Sequence, residues 1–564
     1  MSTTGIYGLS GSGIDVDSMV KVGMLSKQNQ YDKMYKEEVK NEWKKEAYSD
    51  LYSSLNTFNQ STLSNYKMSA TTSPMLAKSA SEGIVTATAN ADAAQMSHTV
   101  KVTSLSTNAY LQTNDTGITR KSTNESSINL KDLLYDADEL KEQEEKYNAM
   151  SADESQKAAI SFTISDGKSD DGNTVTKTIS ISYDELFGSS QTLNDLATKI
   201  KNSGVNIQAS YDSVNDSFSL YQKTGGSANQ INLSVGTSGT TETNVRSRQL
   251  LNSLNLASVT TDQTTGEQSL TDLAQFNTTY LTPETIGASG TDGEAVIDGK
   301  KYTTTSSKLT VGNVSYTLGG VGSTTVSVSQ DTDKLVENVK QFVTDYNKII
   351  DALNTKYYEK QYSDYGVLTK SQENQMTEEQ VKKWNEKAKS GLLYHDQQLG
   401  KIISSMREAL YTPVEGTDSS YNTMMSLGIS SSTDQGHIKL DEDKLKKALA
   451  ADPNAVRNVF AASGDTTKTV DGVTTTTTDY NKEGVMNRIS DALFSNLKTL
   501  KSYAGDSSET SDGSTLGTLI EQLKTKMSDF KTQMDAFEST LYDKYDAMET
   551  AIQQLSVQMG YITG

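Results

Sequence analysis

Leu523-Lys524-Thr525-Lys526-Met527-Ser528-Asp529-Phe530-Lys531-Thr532-Gln533-Met534-Asp535-Ala536-Phe537-Glu538-Ser539-Thr540-Leu541 places its large apolar residues at steps of four, three, four, three and four. After one further four-residue step to Tyr545, the pattern resumes through Met548, Ile552, Leu555, Met559 and Ile562. Alternating steps of three and four bring these side chains to one face of a helix, and the single extra step is a stutter in a heptad seam. The spacing predicts a coiled coil or long amphipathic helix, about 60 Å long at ~1.5 Å per residue. Met and Phe dominate the seam and β-branched residues are scarce, so it accepts more than one packing arrangement and suits a partner as well as a core.

The other end has the same texture. From Asp17 onward Val20, Met24, Tyr31, Met34, Tyr48, Leu51, Leu55 and Phe58 follow helical spacing, and Lys33 to Glu46 is dense in charges of both signs. That composition reads as a solvated helix face. The lead-in Gly8-Leu9-Ser10-Gly11-Ser12-Gly13 is too flexible for a helix and lacks the strand and ribose-binding acid of a dinucleotide site.

The middle changes to period two. Ile160, Phe162 and Ile164 alternate, an Asp/Gly-rich turn spans Asp166 to Asn173, and Ile179, Ile181 and Tyr183 alternate back as a hairpin. Thr192 and Asp195 form a capping box for a short helix through Leu193, Leu196 and Ile200, ending near Gly204. Val205 to Tyr211 and Phe218 to Leu220 return to strand, which makes a β-β-α-β-β unit. Further single strands are expected at Val100 to Leu105, Ala295 to Tyr302, Val314 to Leu318 and Thr324 to Val328. Helical texture resumes with the stripe from Leu335 to Leu353, and a polar excursion from Tyr357 to Lys389 carries a short helix near Glu378 to Lys389. Thr466 to Asp479, with five consecutive threonines, reads as a mobile loop.

These elements give an α+β multidomain chain. Long terminal coiled-coil helices enclose a mixed helical and strand domain, which encloses inserted β-rich domains, nested so that the N- and C-termini pair. The expected parts are paired terminal helices of 1–40 and 510–564, a mixed helical domain of 41–78 plus 329–509, an inner β-domain of 79–115 plus 281–328, and an outer β-rich domain of 116–280.

Composition narrows the chemistry. The 564 residues suffice for roughly three or four domains. Against 52 basic residues stand 72 acidic ones, a formal charge of −20, which repels phosphate backbones and anionic lipid surfaces. No cysteine is present, so disulfides, thiolate zinc sites, iron–sulfur clusters and cysteine nucleophiles are excluded. The three histidines, His98, His395 and His437, are far apart in sequence. The Asp166–Asn173 turn lacks the spacing and closing Glu of an EF-hand. No catalytic, cofactor-binding or metal-ligating residue is assigned, and the chain reads as a protein that is not an enzyme. Residues 1–8 carry neither positive charge nor an apolar run, and no stretch approaches the ~18 apolar residues of a membrane span. Tyrosine is abundant, 28 against 10 Phe and 2 Trp, and its apolar body with a polar tip suits partly wet contacts.

Several separated segments, in order, resemble the flagellar filament cap family of hook-associated protein 2. Gly11-Ser12-Gly13-Ile14-Asp15-Val16-Asp17-Ser18-Met19-Val20 resembles its opening motif, and Trp43, Ala47, Tyr48 and Leu51 the helix that follows. Phe342-Val343-Thr344-Asp345-Tyr346-Asn347 and Gly391-Leu392-Leu393-Tyr394-His395-Asp396 resemble internal segments. The most specific stretch runs from Ser426-Leu427-Gly428-Ile429 through Gly436-His437-Ile438-Lys439-Leu440-Asp441 to Phe460. The resemblance implies a ring-like homo-oligomer, usually a pentamer, at the distal tip of the bacterial flagellum. There it would promote flagellin folding and polymerisation and keep exported monomers from leaking away. It implies an extracellular protein exported by the flagellar type III apparatus, with an export chaperone and without a cleaved signal peptide. The terminal helices would act as legs and the β-domains as a plate. Met24, Leu25, Phe530, Met534, Phe537, Met548, Leu555 and Met559 are the candidates for leg contacts; packing of the two legs on each other is the equal alternative for each. Two other functions compete: another axial flagellar protein, such as a flagellin or a hook–filament junction protein, and a secreted adhesin whose β-domains bind glycans.

Overall fold

The computed structural model describes residues 15–168, 174–236, 241–271, 278–282, 285–417, 420–432, 435–470, 473–505 and 512–563. The glycine-rich lead-in and part of the Asp166–Asn173 turn lie outside them. The chain divides into two compact units, one of Met1–Pro74 with Asp331–Gly564 and one of Met75–Gln330.

The first unit is helical. Its N-terminal helix, Val16–Thr57, is capped by Asp15, whose carboxylate accepts the Ser18 N–H at 3.0 Å. It runs unbroken through the charged segment around residue 40 and continues into a π-helical turn, Phe58–Leu63. Helices Thr332–Tyr358, Gln397–Tyr411 and Val485–Ala504 pack with its C-terminal half. The stripe from Leu335 to Leu353 supplies the centre of this core, including Phe342, Tyr346 and Ile350. Two buried tyrosines tie the layers together through their polar tips. Tyr48 Oη donates to Asp396 at 2.5 Å and Tyr66 Oη to Asp345 at 2.8 Å. Burial first, and the neighbouring carboxylate second, push both phenols well above their ordinary range. Helix Glu378–Lys389 occurs within the polar excursion where its spacing places it.

The threonine-rich segment corrects the expectation of a loop. Ser463–Val470 and Val473–Glu483 form an antiparallel hairpin, with Thr466 opposite Thr477 and Thr467 opposite Thr476. Low complexity hid a strong local preference, because threonine is β-branched and favours the extended backbone. Arg488, fully buried in helix Val485–Ala504, fastens the base of this hairpin. Its guanidinium donates to the carbonyls of Thr412, Pro413, Tyr480 and Asn481 at 2.6–2.9 Å.

The second unit is mostly strand. One five-stranded sheet has Met75–Ser79 and Gly322–Gln330 as antiparallel neighbours, with Ser97–Ser104, Gly293–Ile297 and Lys300–Thr304 beyond them. Ala295 to Tyr302 is therefore a tight hairpin and not the single strand expected. Asp298 and Gly299 both take positive φ, 51° and 81°, and reverse the chain. Asp298 also receives the Thr99 N–H at 2.8 Å and lies 2.6 Å from His98 Nδ1.

The β-β-α-β-β order is present, but its hairpins belong to different sheets. Ala158–Lys168 and Thr174–Ser182 join a five-stranded sheet, whereas Ile207–Asp212 and Ser217–Gly225 join Asn108–Gln112. Helix Leu193–Lys201 carries the expected Thr192–Asp195 capping box. Asp166 is buried and accepts the Val175 and Asn206 N–H groups at 3.0 and 3.2 Å, so its carboxylate serves backbone donors.

Candidate functional site

The N-terminal helix and the C-terminal helix, Thr515–Thr563, pack against each other within the first unit. Their cross-contacts fix an antiparallel register. Tyr542 Oη donates to Asp17 at 3.0 Å, Lys27 faces Phe530 and Phe537, Lys524 reaches Glu38 and Glu42, and Lys45 pairs with Asp512.

Near the start of the N-terminal helix, Val16, Val20 and Leu541 are buried, with Met24, Phe537, Tyr542 and Tyr545 packed around them. Gly23 makes this approach possible, since a Cβ there would lie 2.8 Å from Leu541 Cδ1. Farther along, the Lys27 ammonium sits 5.4 and 5.3 Å from the Phe530 and Phe537 ring centroids. The lysine stem covers the rings while its charge meets their negative faces.

A charged cluster follows. Lys524 Nζ is 2.8 Å from Glu42 and 3.6 Å from Glu38. One cation thus serves two carboxylates one turn apart. Burial, then the hydrogen bond and charge of Glu42, push the Glu38 carboxyl above its ordinary value. Burial acts on Glu42 in the same direction, but hydrogen bonds from Lys524 and Glu38 more than offset it and hold it low.

The eight candidates fall in three places. Met24, Phe530, Met534 and Phe537 come together between the paired helices, with Met534 fully buried and the others half-buried. Leu25, the next residue after Met24, is exposed. Met548, Leu555 and Met559 lie farther along the C-terminal helix, past Tyr542 and Tyr545, which are level with the first described turn of the N-terminal helix. There the seam opens to solvent: Met548 is 36% exposed, Leu555 60% and Met559 63%.

Sequence reading missed the groups that set the register, namely Asp17, Gly23, Lys27, Glu38, Glu42, Lys524 and Tyr542. Only Gly23 carried a signal, since a glycine inside a helical pattern often marks close approach. Among the described residues no cluster of three metal-ligating side chains occurs, and no helix is long and apolar enough to cross a membrane.

Residues 12–109 match the family model described as Flagellar hook-associated protein 2 N-terminus, and residues 290–557 match Flagellar hook-associated protein 2 C-terminus. The chain belongs to the flagellar hook-associated protein 2 family. The two matches together take in well over half of it, including the paired helices up to residue 557, and residues 110–289 fall outside both. Flagellar hook-associated protein 2 of Halalkalibacterium halodurans is 26% identical over 97% of this chain and 97% of its own. That of Thermotoga maritima is 27% identical over 44% of this chain and 36% of its own. A crystal structure of the flagellar cap protein FliD D1-D2-D3 domains from Escherichia coli covers 85% of this chain and 99% of its own, at 18% identity and a TM-score of 0.47.

Proposed function

We propose that this member of the hook-associated protein 2 family caps the distal end of the bacterial flagellar filament as a ring-like homo-oligomer, a pentamer in the simplest case. In this reading it holds exported flagellin at the tip, promotes its folding and insertion, and prevents its leakage. It reaches this extracellular position through the flagellar type III apparatus, with an export chaperone and no cleaved signal.

The observation that carries the proposal is the two-part seam of the C-terminal helix. From Leu523 to Leu541 the seam is closed by the N-terminal helix, whereas Met548 and Leu555 continue the same stripe in the open. Large apolar side chains lined up in water are a contact surface in search of a partner. A capping protein needs such an element, anchored to its own body at one end and free to engage the filament at the other. Met and Leu, unbranched at Cβ, suit it to a surface that changes as each new subunit inserts. Met24, Phe530, Met534 and Phe537 then hold the leg together, and Leu25, Met548, Leu555 and Met559 make its outward contacts.

The test is deletion of the gene followed by assay of flagellin in the medium. We expect free monomers and short or absent filaments, with rescue by the full chain and none by a chain ending at Tyr545. Normal filaments without the gene would refute capping; rescue by the shortened chain would refute the role of the open half-seam.

A further inference from the structure

Phe494 stands out in helix Val485–Ala504. The helix turns Ile489, Leu493, Leu497 and Leu500 into the core, yet Phe494 is 68% exposed. A phenylalanine ring this exposed offers a partner a large, rigid apolar knob. Asp491 lies one turn before it and Lys498 one turn after, so the ring is bracketed by one acid and one base on the same helix face.

A matching shape lies on the same helical unit. Phe58, Ile349 and Ala352 line a groove of about 440 Å³. Two rim hydroxyls are turned back on their own helix, Ser54 Oγ donating to the Asp50 carbonyl at 3.0 Å and Thr57 Oγ1 to the Ser53 carbonyl at 2.9 Å. Asp345 and Lys348 also line it, again one acid and one base. Asp345 also accepts from Tyr66 Oη and Gln341 Nε2 at 2.8 and 2.9 Å, and the knob and the groove each carry one acid and one base beside an apolar surface.

We propose that Phe494 of one copy inserts into the Phe58–Ile349–Ala352 groove of the next copy, with Asp491 facing Lys348 and Lys498 facing Asp345. This rests on the reading that the chain self-assembles, and it names the contact. The occupant is a second copy because both halves of the contact, with matched charges, are on this chain. The contact is heterologous: every copy added presents one unfilled groove and one unfilled knob, so association continues until rotation closes a ring.

The experiment uses the full-length chain and reads mass in solution by light scattering across a concentration series. Phe494→Glu removes the knob and Ala352→Trp fills the groove. Each variant alone is expected to shift assembly to at least about tenfold higher concentration, as loss of a central aromatic anchor does. Mixed one to one, the two are expected to form dimers and stop there, the intact knob of one entering the intact groove of the other. This dimer also demonstrates that both variants fold. A mixture that stays monomeric, or variants that assemble as the natural chain does, overturns the contact. A natural chain that is monomeric at every concentration overturns self-assembly itself. In this cysteine-free chain, oxidising the double variant Asp491→Cys with Lys348→Cys should give a ladder of covalent oligomers. Either cysteine alone can pair only with the same cysteine of another copy and should stay covalently monomeric on oxidation; a disulfide-linked dimer from a single variant would contradict the head-to-tail geometry.

Discussion

Replacing Arg488 with Met tests how the hairpin Ser463–Glu483 is held. The guanidinium is fully buried and burial lowers its pKa, yet it makes no ion pair within hydrogen-bonding reach among the described residues. Its bonds are to backbone. Nε donates to Tyr480 O at 2.8 Å, Nη1 to Thr412 O at 2.6 Å, and Nη2 to Pro413 O and Asn481 O at 2.9 and 2.7 Å. The plane also stacks on the Tyr480 ring, 5.1 Å from its centroid. Methionine keeps the stem volume and removes all four donors. Hydrogen bonds from a charged donor contribute about 1.5–3 kcal/mol each, and stranded carbonyls cost about 1–3 kcal/mol apiece. Relief of the guanidinium's own desolvation offsets much of that sum, leaving a net loss of about 4 kcal/mol, near the upper end for one substitution. Arg488→Lys keeps the charge on a single nitrogen that cannot span two chain segments, and should lose about half as much. Urea unfolding of the helical unit gives the loss, and hydrogen exchange across 463–483 locates it. An Arg488→Met chain within about 1 kcal/mol of the natural one, or one with unchanged exchange in the hairpin, would refute this reasoning.

Four further outcomes are expected. Tyr48→Phe removes the hydroxyl bonded to Asp396, which keeps its backbone donors at Gln398 and Leu399; a loss of about 1 kcal/mol in denaturant unfolding is expected. Gly428 has φ 88°, and a Cβ there would lie 2.6 Å from the Asp441 carbonyl, so Gly428→Ala should cost about 2 kcal/mol or more and lower the melting temperature. Hydrogen bonds from Arg120 hold the Asp216 carboxyl below its ordinary range. A depressed carboxyl stabilises above its unfolded pKa and loses that contribution as pH falls through the folded value, so acid titration should weaken the strand-rich unit below about pH 4. Asp216→Asn should flatten that part of the profile. Glu38 is raised and has the opposite sign, stabilising the paired terminal helices less as pH climbs above the ordinary carboxyl range. Glu38→Gln should accordingly melt higher at neutral pH, and an unchanged melt would contradict the shared-cation geometry.

Local periodicity carried most of the helical unit. Leu523 to Leu541 and Leu335 to Leu353 repeat at helical spacing and form helices Thr515–Thr563 and Thr332–Tyr358. Signals that compete locally were harder to read. Repeated threonine reads both as low complexity and as strand, and only the pairing of Thr466 with Thr477 decides between them. Asp298-Gly299 is a turn dipeptide, but valine, isoleucine and tyrosine on either side made one strand look continuous. Sheet membership lay beyond reach because it depends on distant partners, such as Ile164 opposite Leu233. The candidate surface shows the same limit. Its stripe was plain, but which part is covered depends on where Asp17 and Gly23 fall against Tyr542 and Leu541. Arg488, flanked by Asn487 and Ile489, has nothing in its neighbourhood of sequence to announce four carbonyls from two chain segments, one of them some 75 residues away.

The strands that open and close the second unit are neighbours, with Met75 opposite Gln330, and just outside them the Asp331 N–H donates to the Pro74 carbonyl at 2.9 Å. To the helical unit, everything from Met75 to Gln330 is therefore a clipped loop whose two ends are already joined. Closing a loop becomes dearer only slowly with length, by about 0.6 kcal/mol for each doubling. The helical scaffold thus behaves as a socket, indifferent to how large a graft it carries provided the graft departs and returns side by side. Selection can rebuild the whole of that insert, or exchange it for another of different size, without renegotiating the core around Phe342 and Tyr346.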